Sequence, residues 1–271
     1  MKHDPGIGAT PDLSLRVSVA TLVRVIFENP TNGDWMLALE RKATLLDNKV
    51  EVKSQPFGGA IRILDVDTIH DLIGDFHFDS ARTRAEQDFR LFIRPSSWSV
   101  LREFCIQHLS LVDDSIIETD PTRELTEEFA EALKINLKPE QYISKPVATV
   151  VEDEAAPTEN IHAKGIPTVR VYRIFEATIS DPSLKDIILK NSASILHEDL
   201  CELALKDAQN GGKGRANAIL TLPLKRITDV YLATPPKERN APILFNENLL
   251  DETVSAVLEG IPVPKYQRLR V

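Results

Sequence analysis

Residues 16–27, RVSVATLVRVIF, place Val17, Val19, Val23, Val25 and Phe27 on one side with a period of two, which predicts a strand with a buried face. The turn residues Pro30 and Asn32-Gly33 follow, and WMLALERK at 35–42 predicts a second strand, so the pair reads as a hairpin. Residues 50–63 predict another strand, interrupted by Pro56 and by Gly58-Gly59. The stretch 65–117 is mixed: DFRLFIRP (88–95) reads as a strand, and SSWSVLREFCIQHL (96–109) as a helix capped by Ser96 or Ser97. PTRELTEEFAEAL (121–133) predicts a helix that Asp120 caps and Pro121 opens.

Further along, 146–152 and 168–179 predict strands on either side of an exposed loop, EDEAAPTENIHAKGIP. Residues 181–210 are mostly helical, GGKGRAN is a turn, and 218–232 starts strand-like and shifts its pattern at Leu224. A helix is expected over 246–260, closed by Gly260. Residues 1–15 read as a flexible tail, and no internal repeat or low-complexity linker divides the rest. Strands interleaved with helices predict an α/β (α+β) layered fold over 16–271 as one domain.

Composition narrows the function classes. The 271 residues are 42% apolar and 27% charged, a globular balance. A formal charge of −9 argues against a nucleic-acid coat, which needs a basic surface, but leaves room for a local basic pocket. Two cysteines, Cys105 and Cys201, are too few for a disulfide framework and read as packing residues. The first residues lack the apolar stretch of a signal peptide, and no run approaches the ~18 apolar residues that span a bilayer. The expectation is a cytoplasmic protein with no membrane partner.

The chemistry concentrates on 121–133. At 100° per residue, Glu124, Glu127, Glu128 and Glu131 share one helix face, with Leu125, Phe129, Ala132 and Leu133 toward the other. Like charges one turn apart repel by a few tenths of a kcal/mol per pair, roughly. Such a face is either solvated or gathered round a cation, and magnesium, a hard ion, takes carboxylate oxygens.

The string Arg123-Glu124-Leu125-Thr126-Glu127-Glu128 resembles the signature helix of the Nudix hydrolase superfamily, Arg-Glu-apolar-x-Glu-Glu. The resemblance extends to the strand pair of 16–42 and the turn Pro56-Phe57-Gly58-Gly59, and covers 17–62 and 118–179. In the signature a glycine precedes the arginine by fourteen positions; here Gly59 and Arg123 are about fifty residues further apart, which implies an insertion over 65–117. The signature's first Glu has no aligned counterpart, Glu118 being near but displaced, and its last Gly-apolar pair is Ala130-Glu131.

The resemblance implies an α/β/α sandwich with a mixed sheet, and the remaining 181–271 would be a C-terminal helical extension. It implies a Mg²⁺- or Mn²⁺-dependent hydrolase of a phosphoanhydride in a nucleoside diphosphate derivative or related nucleotide. The alternative is a Nudix fold that binds a nucleotide and reports it without cutting. Glu124, Glu127 and Glu128 would hold the metal, with Glu124 or Glu128 also catalytic and Glu176 a base outside the signature. Gly58, Gly59, Arg41, Arg90 and Arg170 would touch substrate, and Arg123 would pair with an acid and orient the helix. Family members are often dimers, so a homodimer is expected.

Other features take plainer readings. NGGKGRAN (210–217) has backbone N–H groups, Lys213 and Arg215 for a phosphate, but reads better as a turn between helix and strand. Arg90 and Arg94, interleaved with Phe89, Leu91, Phe92 and Ile93, read as the outer side of a half-buried strand. His197, Glu198 and Glu202 read as a solvated helix face.

Overall fold

A computed structural model describes residues 5–158, 160 and 162–261, and the backbone of 266–270. Residues 1–4 of the expected tail, 159 and 161 of the expected loop, and 262–265 and 271 of the expected extension lie outside the described residues.

Thirteen strands join one branched hydrogen-bonded sheet among the described residues. In chain order they begin with β1 (Gly6–Ile7), β2 (Leu15–Glu28), β3 (Trp35–Leu46), β4 (Lys49–Gln55) and β5 (Phe57–Ala60). After helix α1 (Val66–Ile73) come β6 (His77–Phe78), α2 (Ala81–Glu86), β7 (Arg90–Ile93), α3 (Trp98–His108) and α4 (Thr122–Leu133). Then follow β8 (Tyr142–Pro157), β9 (Pro167–Ile179), α5 (Pro182–Ser194), α6 (His197–Gln209), β10 (Arg215–Pro223) and α7 (Leu224–Ala233). The chain continues through β11 (Ile243–Phe245), β12 (Asn248–Leu250), α8 (Val254–Val257) and β13 (Tyr266–Arg270).

The long strand β2 organises the fold. One edge pairs in parallel with β9 from Arg16 to Ile26. The other edge is shared in turn by β7 at Leu15–Ser18, β5 at Ala20–Val23 and β3 at Val25–Glu28. The period-two pattern read from the sequence is the physical basis. Val17 and Val19 pack with α1 and α3, while Val23, Val25 and Phe27 pack with α4 and α5, all on one face of the sheet. On the other face, Ala20 and Leu22 meet Ala256 and Val257 of α8, and Ile26 with Leu37 and Leu39 of β3 meets Ile227 and Tyr231 of α7. The architecture is a mixed α/β sandwich.

The presumed insertion is part of the core. β7 pairs with β2, and Ile69, Ile73, Leu101, Phe104 and Leu109 are buried with Val17 and Val19. The described part of the expected tail is likewise held: β1 pairs with β6, and Leu13 is buried against Phe92 and Ala163.

Three expectations change. The helix expected at 246–260 is a hairpin, β11–β12, followed by the four-residue α8. Its turn residues Asn246 and Glu247 both take left-handed backbone angles, the two-residue hairpin geometry, without the glycine that usually signals it. The expected loop after residue 152 is still strand as far as Pro157, because β9 offers it a ladder beyond the bulge between Glu152 and Ala156. Ser97 holds the N-cap position of α3, as expected, but makes no side-chain cap bond; Pro95–Ser97 is a 3₁₀ turn, and the Ser97 hydroxyl donates to the Ile73 carbonyl. The C-terminal segment is not simply helical either, since β10 pairs along β3 over nine residues and so belongs to the main sheet. Among the described residues, no helix is long and apolar enough to cross a membrane.

Candidate functional site

Helix α4 starts where the Asp120 carboxylate accepts the Thr122 N–H at 2.7 Å, with Pro121 at the N-cap, and ends where Lys134 turns left-handed at φ 59°. Leu125, Phe129 and Ala132 are buried on the sheet, and the Phe129 ring stacks on Phe57 with centroids 4.9 Å apart. Burying Phe57 and Phe129 together fixes α4 over β5, the strand that carries the glycine pair. Removing a buried ring of this kind costs about 3–5 kcal/mol.

That anchoring sets two carboxylates of the acidic face against the glycines. Glu128 accepts the Gly58 N–H at 2.5 Å, and the Glu124 carboxylate lies where a side chain on residue 59 would be. Gly58 has φ 138°, and a methyl group there would collide with the Thr21 carbonyl of β2; here the backbone itself demands glycine. Glu124 is 9% exposed and Glu128 8%, whereas the Glu127 side chain is 57% exposed. The four-residue acidic face thus divides into two buried members beside the glycines and two wet ones.

Arg123 fastens the helix. Its guanidinium pairs with Glu118 at 2.6 Å and Glu124 at 2.7 Å, reaches Glu127 at 3.4 Å and donates to the Ala60 carbonyl at 3.0 Å. Glu118, displaced in sequence from the signature's first Glu, is therefore the chief partner of Arg123 in space. Its bond with Glu118, set against burial, holds the guanidinium firmly charged.

The electrostatics of the buried pair is unusual. Burial pushes the Glu124 carboxyl up to about 7 against the pull of Arg123. Glu128 is pushed well above the usual carboxylate range, first by burial and next by a second carboxylate, Glu40 of β3. Glu40 is completely buried; it accepts from Gln55 at 3.0 Å and Asn217 at 2.9 Å and pairs with the Lys42 ammonium at 3.0 Å. Burial pulls Lys42 down, but Glu40 and Glu128 outweigh it and its pKa is raised. Glu40 and Lys42 were missed by the sequence reading, which took Arg41 from the same strand. Parity separates them once the strands are paired: Ala38 lies opposite Val25, so positions 38, 40 and 42 face α4, and 37, 39 and 41 face away.

A cavity of about 900 Å³ opens over this floor. Gly58, Gly59, Arg123, Glu124, Glu127 and Glu128 line one part, together with Lys42. Arg82, Glu86, Asp88 and Arg90, from the α2–β7 segment, form a second wall, and Asp207, Lys213, Arg215 and Asn217 a third. Arg90, expected at the substrate, is in the cavity, paired with Asp88 at 3.3 Å.

Three expected site residues are elsewhere. Arg41 is buried on the far face of β3 and donates to the Ile195 carbonyl. Arg170 pairs with Glu152 of β8 at 3.1 Å and does not line the cavity. Glu176 is across from Arg24 in the β2–β9 register, on the face opposite α4, where it pairs with Arg24 and with Lys145 at 2.8 Å. It shares its side of β9 with Tyr172 and Ile174, which pack on α8 and not on the carboxylate helix. Among the described residues, no three His, Cys, Asp or Glu side chains stand close enough together to form a metal cluster; on α4, Glu124 turns to Arg123 and Glu128 to Gly58. The donor set nonetheless suits a hard divalent cation. It consists of carboxylate oxygens, two of them buried at a cost that positive charge would relieve.

Residues 14–194 match the family model described as the SMODS-associated NUDIX domain. No curated protein and no solved structure matches the chain.

Proposed function

The chain belongs to the SMODS-associated NUDIX domain family, and on that premise we propose that it hydrolyses a phosphoanhydride bond in a nucleoside diphosphate derivative or related nucleotide, with Mg²⁺ or Mn²⁺. A Nudix domain indicates nucleotide-related hydrolysis, and such enzymes generally use divalent metal ions. The observation that carries the finer reading is the seating of Glu124 and Glu128 against Gly58-Gly59 on the floor of a polar cavity.

Glu124, Glu127 and Glu128 would hold the metal. When bound it would polarise phosphoryl oxygens and help supply the attacking hydroxide. The chain's own groups do the rest. The Gly58 N–H orients Glu128, and the glycine pair lets a ligand approach the backbone closely. Arg123 positions α4 through Glu118 and the Ala60 carbonyl. Lys42 places a firmly held positive charge beside Glu128, where it can balance phosphate charge as well as carboxylate. Glu124, with its proton affinity near neutrality, is suited to accept a proton from water.

The second reading, a nucleotide sensor that binds without cutting, is favoured by the ion pairs that already engage Glu124 and Glu127 with Arg123. One screen separates the two: nucleoside diphosphate derivatives, dinucleoside polyphosphates and linked nucleotides, with Mg²⁺ or Mn²⁺, beside the Glu127→Gln and Glu128→Gln proteins. Metal-dependent product formation that the variants lose supports hydrolysis. Saturable binding with no product supports the sensor, and turnover that is unchanged after all divalent metal is removed ends the hydrolase reading.

A further inference from the structure

The third wall of the cavity comes from Asp207–Asn217, beyond the 14–194 stretch that matches the family. Its acids and cations are used differently. Asp207 accepts the Arg215 backbone N–H at 3.2 Å and closes over Gly212, so its carboxylate is engaged in shaping the turn. Glu131, facing it from α4, accepts from Asn217 at 2.8 Å. Lys213 and Arg215 form no ion pair among the described residues, yet both line the cavity. The wall opposite is neutralised: Arg82 pairs with Glu86 at 2.9 Å and Arg90 with Asp88.

Arg215 is directed to the cavity by register. It pairs with Thr44 of β3, as Asn217 does with Lys42, so it stands on the same face of the sheet as Lys42 and Glu40. The cavity therefore has two chemically distinct ends, carboxylates beside a glycine pair at one and, at the other, two cations that form no ion pair among the described residues. A ligand carrying only a diphosphate would satisfy the first end and leave the second unmatched.

We propose that Lys213 and Arg215 form an anion subsite that selects diphosphate compounds bearing a second, separate anionic group, of the phosphomonoester or phosphodiester kind. The inference rests on the reading that the Gly58-Gly59 end takes the diphosphate. It makes the segment after residue 194 the determinant of specificity in a cleft whose floor the family supplies. Arg215 can grip a phosphate with two parallel N–H groups, and Lys213 adds a point charge.

The test is binding calorimetry on the full chain with three pairs of adenine compounds that differ by one phosphomonoester. These are ADP and adenosine 3′-phosphate 5′-diphosphate, ADP-ribose and its 2′-phosphate, and NAD and NADP. In at least one pair the wild type is expected to prefer the phosphorylated member by about tenfold, the scale of one good charge-assisted contact. Lys213→Ala/Arg215→Ala should bring that ratio to within about twofold of unity, while Lys213→Arg/Arg215→Lys keeps most of it. No preference in any pair, or a preference that survives the alanine variant, overturns the proposal. Preference with no product from any of the six compounds in the presence of Mg²⁺ supports the subsite and favours the sensor reading over hydrolysis of these compounds.

Discussion

The two faces of the sheet near the middle of β2 each bury glutamates, and they treat them in opposite ways. On the face opposite α4, Glu176 meets the Arg24 guanidinium and the Lys145 ammonium; burial raises its pKa, but Lys145 and Arg24 outweigh that and the net direction is down. On the α4 face, burial prevails for both Glu124 and Glu128, with Glu40 adding to it at Glu128 and Glu127 and Glu118 at Glu124 against the pull of Arg123, so both are raised. A carboxylate with two cations is a structural tie. Carboxylates gathered beside one another, with less positive charge than they need, are poised to take up a proton or a cation. Burial alone does not distinguish these roles; the local charge balance does.

The comparison predicts its largest effect on catalysis. On the proposed function, Glu128→Gln should lower metal-dependent turnover by roughly 10²-fold or more, because Glu128 would hold the metal and its loss would forfeit several kcal/mol of transition-state stabilisation. Steady-state kinetics with the best substrate of the screen measures this, and a loss below about threefold would place the chemistry elsewhere.

Next comes pH. The Glu124 pKa is raised from 4.5 to about 7 in the fold, so its contribution to stability is full below 4.5 and is lost as pH rises through 7. The permanently neutral Glu124→Gln should therefore gain on the wild type by up to about 3 kcal/mol between acid and mildly alkaline pH, in the absence of divalent metal. For Glu176 the sign reverses: its stabilisation is present above the ordinary 4.5 and is lost as pH falls through the lowered value. Denaturant titrations at several pH values, run on wild type and both Gln variants, should show the two difference curves sloping oppositely.

The glycine pair offers a finer cut. Gly58→Ala forces a side chain into the Thr21 carbonyl at positive φ and should cost about 1–3 kcal/mol of stability. Gly59→Ala meets only the movable end of Glu124, so it should cost less than about 1 kcal/mol while displacing that carboxylate and depressing turnover. Thermal unfolding beside kinetics resolves the two; equal stability losses would contradict the described placement of Glu124.

The smallest effect on turnover belongs to the opposite face. Glu176→Gln leaves Arg24 with the more distant Glu259, 3.5 Å away, and should cost about 1–3 kcal/mol of stability. Its kcat should stay within about twofold of wild type. A collapse of kcat with stability intact would restore Glu176 as the base and break the contrast.

Much of this was legible in the sequence. The strands at 16–27 and 168–179, the hairpin of 16–42 and the helix at 121–133 follow from local periodicity and end signals, which any short window contains. The acidic helix face and the Gly58-Gly59 turn were legible for the same reason. What sequence misjudged was placement. Arg41 was chosen over Glu40 and Lys42, and Glu176 was grouped with the carboxylate helix although it stands on the opposite face; the turn at 210–217 was read as a turn, which it is, but its place along the cavity was not legible.

The sequence by itself determined the strands at 16–27 and 168–179, the helix at 121–133 and the stripe of four glutamates on it, because those facts depend on spacing along one stretch of backbone. The tertiary structure alone decided which of those glutamates are buried, that Glu40 stands beside Glu128, and that Lys213 and Arg215 complete the same cavity. These follow from strand register and from which face of the sheet each helix covers. A shift of one residue in register inverts every side chain, and nothing in a single segment records that choice.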